Sequence, residues 1–449
     1  MSGLAAIDAT TRLALWGFGR EGRATRSFLA DRWPSLTPTV VVDGPAADVD
    51  GLPCLSGDVG RKALVDGAFD VVVKSPGISL YRPEAQAALD AGTLLTSSTN
   101  LWLEAHPGRF VLAVTGTKGK STTASLIAHL WAGIEPDVVL AGNVGRPLIA
   151  TPPGAAPIVL ELSSYQCADL QFAPGVAVLT NLFPEHLDWH GSRERYFADK
   201  LRLVDRAPLA VLNAGDARTV ELLDGWPRAR WYQTCDGWLA TGPALYRDHE
   251  RVFEAAGWRL PGDHNLINLA AALEALDAIG VPAATLLPRA RSFTGLAHRL
   301  QVVGERGGLT WVDDSISTTP ESAAAALQAF PGRAVTLLLG GQDRGQDMAP
   351  LAAAIADRDA RVVTLPDNGP SLGAQLARAV IGIEVIDAVD LADAVERAAE
   401  LTPPGGVVLL SPAAPSYGRF TDFEERGRRF AELAGLRPEA DASVTPPAC

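Results

Sequence analysis

Cysteine is scarce in this chain. The four among 449 residues, Cys54, Cys167, Cys235 and Cys449, lie far apart and show no metal-ligand spacing. This argues against a disulfide scaffold or a zinc module and fits thiols kept reduced in a cytoplasm. No uninterrupted apolar segment approaches the roughly 20 residues that span a bilayer. The opening Met1-Ser-Gly-Leu-Ala-Ala-Ile-Asp8 lacks the charged region and long apolar stretch of a secretory signal. Basic residues are outnumbered, 39 Lys and Arg against 52 Asp and Glu, giving a net charge of −13. General binding to nucleic acid or to a membrane surface is therefore not expected, although local basic pockets for phosphates remain open. There is no solenoid period or low-complexity block. With 47% apolar and 20% charged residues, the expectation is a soluble cytoplasmic protein of two to four domains.

The most informative stretch is Val114-Thr-Gly-Thr-Lys-Gly-Lys-Ser-Thr-Thr123. The apolar run Phe110–Val114 reads as a buried strand, and Ser121–Trp131 carries apolar residues at helical spacing. Between them, Gly116 and Gly119 let the backbone turn tightly, and Thr117, Lys118 and the neighbouring amides can face an anion. Lys120 can reach terminal phosphates, and the Ser121 or Thr122 hydroxyl can hold Mg²⁺. The spacing Gly-x-x-Gly-Lys-Ser is a compressed phosphate loop. It announces ATP but not the use made of it.

Strands alternate with helices along most of the chain, which implies parallel α/β layers. Three domains are expected. Residues 1–106 form a Rossmann-like unit, with strands at Leu13–Trp16, Thr39–Val42 and Asp70–Lys74 and a helix through Ala30. Residues 107–293 form the ATP unit, with strands at Ile158–Leu162, Val176–Thr180 and Leu209–Leu212, a strand-rich region over Trp231–Leu260, and a helix over Asn265–Ala278. Residues 294–449 form a second Rossmann-like unit, with strands at Thr310–Val312, Ala334–Leu339, Val362–Leu365 and Val407–Leu410. A disordered tail is expected from about residue 437.

Several constellations lie where α/β proteins place ligands. Gly17-Phe18-Gly19-x-x-Gly22 follows a strand and opens a helix, and Asp43 ends the next strand. Alone this pattern reads as NAD binding, but Arg20, Arg23 and Arg26 near the helix start fit any diphosphate. Glu161 ends a strand beside the phosphate loop; it is either a solvated edge carboxylate or, because a buried one is costly without a partner, a Mg²⁺ ligand, and the metal role is favoured. The run Asn181…Glu185-His186-Leu-Asp188-Trp-His190 makes His186 a candidate ligand for a second Mg²⁺. Lys200, on a short helix, is most simply a solvated cation. Arg299 could act on a transferring phosphoryl group or sit in a surface ion pair. Gly340-Gly341-Gln-Asp-Arg344 and Ser411…Ser416-Tyr-Gly418 follow apolar strands, and Arg344 suits a carboxylate.

Taken in order, Thr115-Gly-Thr-Lys-Gly-Lys-Ser-Thr122, Glu161-Leu-Ser-Ser-Tyr-Gln166, Asn181…Asp188, Lys200-Leu201, His264-Asn265-x-x-Asn268, His298-Arg299 and Asp314-Ser315 resemble the Mur ligase family over nearly the whole chain. The ending Ser411-Pro-Ala-Ala-Pro-Ser416…Phe423-Glu-Glu-Arg426-Gly427 is similar to members that add glutamate to UDP-N-acetylmuramoyl-L-alanine. The resemblance implies an acyl phosphate made with ATP, which the glutamate amine then attacks. It also implies two Mg²⁺ sites at Thr122, Glu161, His186 and a carbamylated Lys200, and nucleotide contacts at Asn268, Arg299 and Asp314. UDP-sugar contacts are implied at Gly17, Phe18, Gly19, Asp43, Ser75, Pro76, Gly77 and Asn143, and glutamate contacts at Thr318, Arg344, Ser416 and Phe423. A monomer is implied.

Where D-glutamate ligases carry two lysines, this chain has Ile316 and Arg344. Asp314-Ser-Ile-Ser-Thr-Thr-Pro320, Gly341-Gln-Asp-Arg344-Gly345 and Lys74-Ser-Pro-Gly-Ile-Ser79 resemble the variant that adds L-glutamate, whose product a separate epimerase inverts. The same reaction with D-glutamate, a folate-type polyglutamylating ligase, an NAD-dependent dehydrogenase and a non-catalytic nucleotide-binding regulator are the alternatives.

Overall fold

Short, wholly apolar runs are buried on both faces, and that is why the strands of this chain stack in parallel under helices. A computed structural model describes residues 3–44, 49–258, 260, 262–343, 345–416 and 419–436. The first sheet contains β1 (Leu13–Trp16), β2 (Thr39–Val42), β3 (Cys54–Ser56), β4 (Val71–Lys74) and β5 (Leu94–Thr96), in the order β3-β2-β1-β4-β5 and all parallel. The second contains β6 (Val111–Thr115), β7 (Val139–Gly142), β8 (Ile158–Glu161), β9 (Val176–Leu179), β10 (Ala210–Asn213) and β11 (Ala229–Tyr232), in the parallel order β11-β10-β9-β6-β8-β7.

The Trp- and Tyr-bearing stretch after β11 forms an antiparallel meander, β12 (Trp238–Thr241), β13 (Ala244–Arg247) and β14 (Glu250–Glu254). Buried Trp238 anchors it by donating its Nε1–H to Asp277 at 2.8 Å, on the helix Asp263–Ala278. The last sheet contains β15 (Gln301–Arg306), β16 (Leu309–Asp313), β17 (Val335–Leu339), β18 (Ala360–Thr364), β19 (Glu384–Asp387) and β20 (Val407–Leu410). Its order is β15-β16-β20-β17-β18-β19, with only the edge strand β15 antiparallel.

The chain divides into two compact units, one of residues 1–258 and 263–293, the other of residues 259–262 and 294–449. The first two sheets therefore fall in one unit, and the core explains why. One apolar cluster runs from Leu13, Leu15 and Val73 of the first sheet through Leu101, Trp102 and Leu103 to Val111, Ile158 and Leu160 of the second. Trp102 lies at the centre of this seam, donating its Nε1–H to the Thr151 carbonyl at 2.9 Å. In the second unit, separate cores lie on the two faces of the last sheet.

An ion pair spans the same seam. Lys74, at the end of β4, and Asp169 are both almost wholly buried, with Nζ 2.7 Å from Oδ2. Lys74 also donates to the Ile78 carbonyl at 2.8 Å. Removing one partner strands the other charge, so Asp169→Ala is expected to cost about 3–5 kcal/mol in denaturant unfolding. The double change Lys74→Met, Asp169→Leu is expected to cost less than the sum of its parts. A single-variant cost below about 1 kcal/mol, the level of an exposed pair, would show that the pair does not hold the seam.

Candidate active site

The phosphate loop follows β6 and leads into the helix Lys120–Trp131, whose first-turn amides have no partner within the helix. Gly116 has φ +143° and Gly119 has φ +80°. A methyl group at Gly116 would strike Thr180, and one at Gly119 would strike Asn268. The loop is braced from β9: Thr117 N–H donates to the Asn181 carbonyl, and Lys118 N–H to Asn181 Oδ1, each at 2.9 Å. Thr180 donates to the Lys118 carbonyl at 2.6 Å. Lys120 folds over the loop onto the Thr117 carbonyl at 2.9 Å, and Lys118 pairs with Glu185 at 2.5 Å. Thr123 donates to Asn268, which is itself held by Asn265.

One strand away, Glu161 is fully buried. Its Oε1 accepts from Asn143 at 3.2 Å, while its Oε2 is buried without a hydrogen-bond partner. A carboxylate oxygen out of water with nothing to accept is costly, and its chemistry fits a hard cation. Asn143, expected among the UDP-sugar contacts, is the residue that donates to Glu161.

Lys200 corrects an expectation. It lies on a helix of 14 residues, Arg193–Arg206, and only 2% of it is exposed. Its Nζ donates to the Gly116 carbonyl at 2.5 Å and lies over the Tyr196 ring. Burial, aided by the nearby Lys120 charge, lowers its pKa to about 7. It is neither on a short helix nor a solvated cation. His186, at φ +52°, caps the short helix Leu187–His190 and packs 5.2 Å from the Tyr165 ring. Burial lowers its pKa, against the opposing pull of the Glu185 and Asp188 charges. Among the described residues no three His, Cys, Asp or Glu side chains are grouped as a metal site. Any cation here would need Thr122, phosphate oxygens or a modified lysine beside Glu161 and His186.

The first sheet places Gly17, Phe18, Gly19, Ser75, Pro76 and Gly77 on the carboxyl ends of β1 and β4. Gly17 (φ +91°) leaves room for Ser75, Gly22 lies close against the Gly17 carbonyl, and Gly19 is open. Asp43 is held below the usual carboxylate range by Arg82. Two of the three arginines near the helix start are already engaged, Arg23 and Arg26 both pairing with Asp50.

A buried chain of polar groups was missed in the sequence. Tyr81 donates to Asp199 at 2.6 Å, Asp199 faces His190 Nδ1 at 2.6 Å, and His190 Nε2 lies 3.0 Å from Ser164 Oγ. Ser79 also donates to the Trp189 carbonyl, and Trp189 donates to the Gly77 carbonyl. These bonds bind the loop after β4 to the phosphate-loop side of the unit.

In the second unit, Asp314 is buried, accepts from Leu300 N–H at 3.0 Å and from Ser411 at 2.7 Å, and is pushed up to about 6 by burial. Arg299 is exposed, with no carboxylate pair among the described residues. Thr318 is exposed at the turn before the helix Pro320–Gln328, Ser416 is buried, and Phe423 opens the helix Phe423–Leu433. Ser416, Gly340, Gly341, Arg419 and Arg426 line a cavity of about 240 Å³. Arg344 and the tail from residue 437 lie outside the described residues, as does Cys449. Among the described residues, no helix is long and apolar enough to cross a membrane.

The strand, glycine-bent loop and Lys120-led helix, beside a buried acid on the neighbouring strand, define a nucleotide-binding protein of the phosphate-loop class. The chain belongs to the Mur ligase family. Residues 114–276 match the Mur ligase middle domain, and residues 298–414 match the Mur ligase glutamate ligase domain. The UDP-N-acetylmuramoyl-L-alanine--L-glutamate ligase of Xanthomonas euvesicatoria pv. vesicatoria is 43% identical, covering 96% of this chain and 97% of that one. The protein of the same name from Xylella fastidiosa (strain Temecula1) is 44% identical, covering 97% of each. The fold is shared with UDP-N-acetylmuramate-alanine ligase from Thermotoga maritima (TM-score 0.59, 20% identity, 94% of this chain and 98% of that one). It is also shared with a MurF ligase from Thermotoga maritima in complex with ADP (TM-score 0.53, 16% identity, 97% and 98%).

Backbone strain of about 1–3 kcal/mol at a wrongly substituted left-handed position, if it falls on the ATP-bound loop, converts to about a five- to hundredfold change in affinity. Gly119→Ala is therefore expected to weaken ATP binding by at least about fivefold in calorimetric titration. A Kd within twofold of the parent would show that this loop does not hold the triphosphate.

Proposed function

We propose that this protein joins L-glutamate to UDP-N-acetylmuramoyl-L-alanine, using ATP, in the synthesis of peptidoglycan precursors. The observation that carries the reading is the buried, half-unpartnered Glu161 carboxylate beside the phosphate loop, with buried Lys200 bonded to the loop's Gly116 carbonyl. The names of the 43–44% identical relatives support the substrates.

In this reading Lys120 and the loop amides hold the β- and γ-phosphates of ATP, with Asn268, Arg299 and Asp314 on the nucleotide. The alanine carboxylate attacks the γ-phosphorus, releasing ADP and leaving an acyl phosphate. The glutamate amine then adds to the acyl carbon, loses its proton, and inorganic phosphate departs. Thr122 and Glu161 would hold one Mg²⁺, and His186 with a carbamylated Lys200 a second. Bound there, Mg²⁺ would offset the charge that builds on the phosphoryl oxygens. Glu161 Oε2 fits that role as an acceptor without a donor. Lys200 fits it only once changed, because its amine now donates to Gly116. Addition of that amine to CO₂, with loss of a proton, gives a carbamate whose oxygens are carboxylate-like ligands and whose nitrogen keeps one N–H.

Gly17, Phe18, Gly19, Asp43, Ser75–Gly77 and Asn143 hold the UDP-sugar, and Thr318, Arg344, Ser416 and Phe423 hold glutamate. Residues 1–106, 107–293 and 294–449 serve as the UDP-sugar, ATP and amino-acid domains. The protein works in the cytoplasm as a monomer, and an epimerase acts on its product. The choice of the L-enantiomer rests on Ile316 and Arg344, which reshape a small carboxylate pocket by removing one ammonium and replacing another with a guanidinium.

Phosphate release assayed with each enantiomer is expected to rise with L-glutamate alone. A response confined to D-glutamate would reverse the assignment. Lys200→Ala is expected to lose at least about a hundredfold in kcat, the scale of a lost electrostatic contact at the reacting centre, and Lys200→Glu to regain part of it. Full activity in the alanine variant would contradict the carbamate.

A further inference from the structure

The carboxyl edge of the first sheet carries a residue with no role yet. From β1 the chain runs outward to β2 and β3 on one side, then returns to place β4 and β5 on the other. The crevice above β1 is therefore the switch point at which such sheets bind ligands. Arg82 stands over it. It is the N-cap residue of the helix Pro83–Asp90, after β4, and its guanidinium reaches back to Asp43, just after β2. Nη1 donates to Asp43 Oδ2 at 2.6 Å and Nη2 to Asp43 Oδ1 at 3.2 Å, a bidentate pair. Glu84 accepts more weakly at 3.4–3.5 Å from Nε and Nη2. Beneath lies Trp16, the last residue of β1 and fully buried, with its ring centroid 5.2 Å from the Arg82 guanidinium carbon.

Two carboxylates and an indole thus fix the plane of this guanidinium, and 27% of the side chain remains open to solvent. An exposed ion pair alone would stabilise little, and a lysine would satisfy Asp43 as well. What a lysine cannot supply is a flat, delocalised surface, the property by which arginine stacks on π-systems. Resting on the UDP-sugar reading of this crevice, we propose that Arg82 determines specificity at the uridine end of the substrate, holding Asp43 in register and offering its guanidinium plane to the base. Trp16, Arg82 and uracil would form one stack, with Asp43 at its edge and the diphosphate directed toward Gly17–Gly19.

The test is titration of the full-length protein with UDP and with uridine, comparing the parent with Arg82→Ala and Arg82→Lys. Both variants are expected to lose at least tenfold in affinity for either ligand, with ATP affinity unchanged and the KM for UDP-N-acetylmuramoyl-L-alanine raised more than kcat is lowered. The lysine variant keeps the charge and the Asp43 partner, so it distinguishes loss of the plane from loss of folding. UDP binding by Arg82→Lys within twofold of the parent would overturn the proposal, as would a loss seen with UDP but not with uridine, which would make Arg82 a phosphate ligand. A parent that binds no UDP would instead overturn the UDP-sugar reading on which the proposal rests.

Discussion

The contact between the Lys200 amine and the Gly116 carbonyl is the interaction on which the first unit depends. It ends a side chain that is almost wholly buried, and it fixes the helix Arg193–Arg206 against the phosphate loop. The preceding residue, Asp199, projects about 100° away around the same helix and takes Tyr81 and His190 instead. One helical turn therefore ties the phosphate loop to the segment after β4. The buried Lys74–Asp169 pair and the Trp102 seam fasten the same two sheets from other points. Through these contacts the crevice above β1 and the phosphate loop after β6 belong to one compact unit.

The phosphate loop was legible because three independent signals coincide: an apolar strand, two glycines at left-handed positions, and a lysine opening a helix. Glu161 was legible for a related reason, since an acid between Leu160 and Leu162 on a buried strand must find a cation or remain costly. The burial of Lys200 is also written in the sequence. Tyr196, Phe197, Leu203 and Val204 mark an apolar stripe at helical spacing, and Lys200 falls in its middle. A charged residue on such a stripe is either an error in the helix or a buried functional group.

Other features left no such mark. The Tyr81–Asp199–His190–Ser164 chain joins residues up to 118 positions apart, and no periodicity connects them. Arg82 precedes a proline, so its place at a helix start could be inferred, but its reach to Asp43 depends on how β2 and β4 flank β1. Strands β3, β5, β7, β11, β15 and β19 were likewise not separately assigned. All six are edge strands of three to six residues whose pairing comes from the sheet and not from local preference.

The second unit repeats the device seen at Lys200. Arg426 lies on the buried stripe of the helix Phe423–Leu433 and is wholly inaccessible. Among the described residues its guanidinium forms no ion pair, although the Asp313 charge acts on it. It donates to the Ser315 carbonyl and hydroxyl, the Gly340 carbonyl and the Ala414 carbonyl, so it ties together the segments leaving β16, β17 and β20. Burial lowers its pKa to about 10, which still leaves it charged at neutral pH. Carbonyl groups just past the ends of parallel strands have left the ladder and need donors. A buried cation on the covering helix supplies several at once. The comparison sharpens what carbamylation of Lys200 would do. Arg426 cannot lose its donors. Carbamylation of Lys200 would leave one N–H on its nitrogen, so the bond to the Gly116 carbonyl can persist while the added carboxylate supplies acceptor oxygens beside the loop.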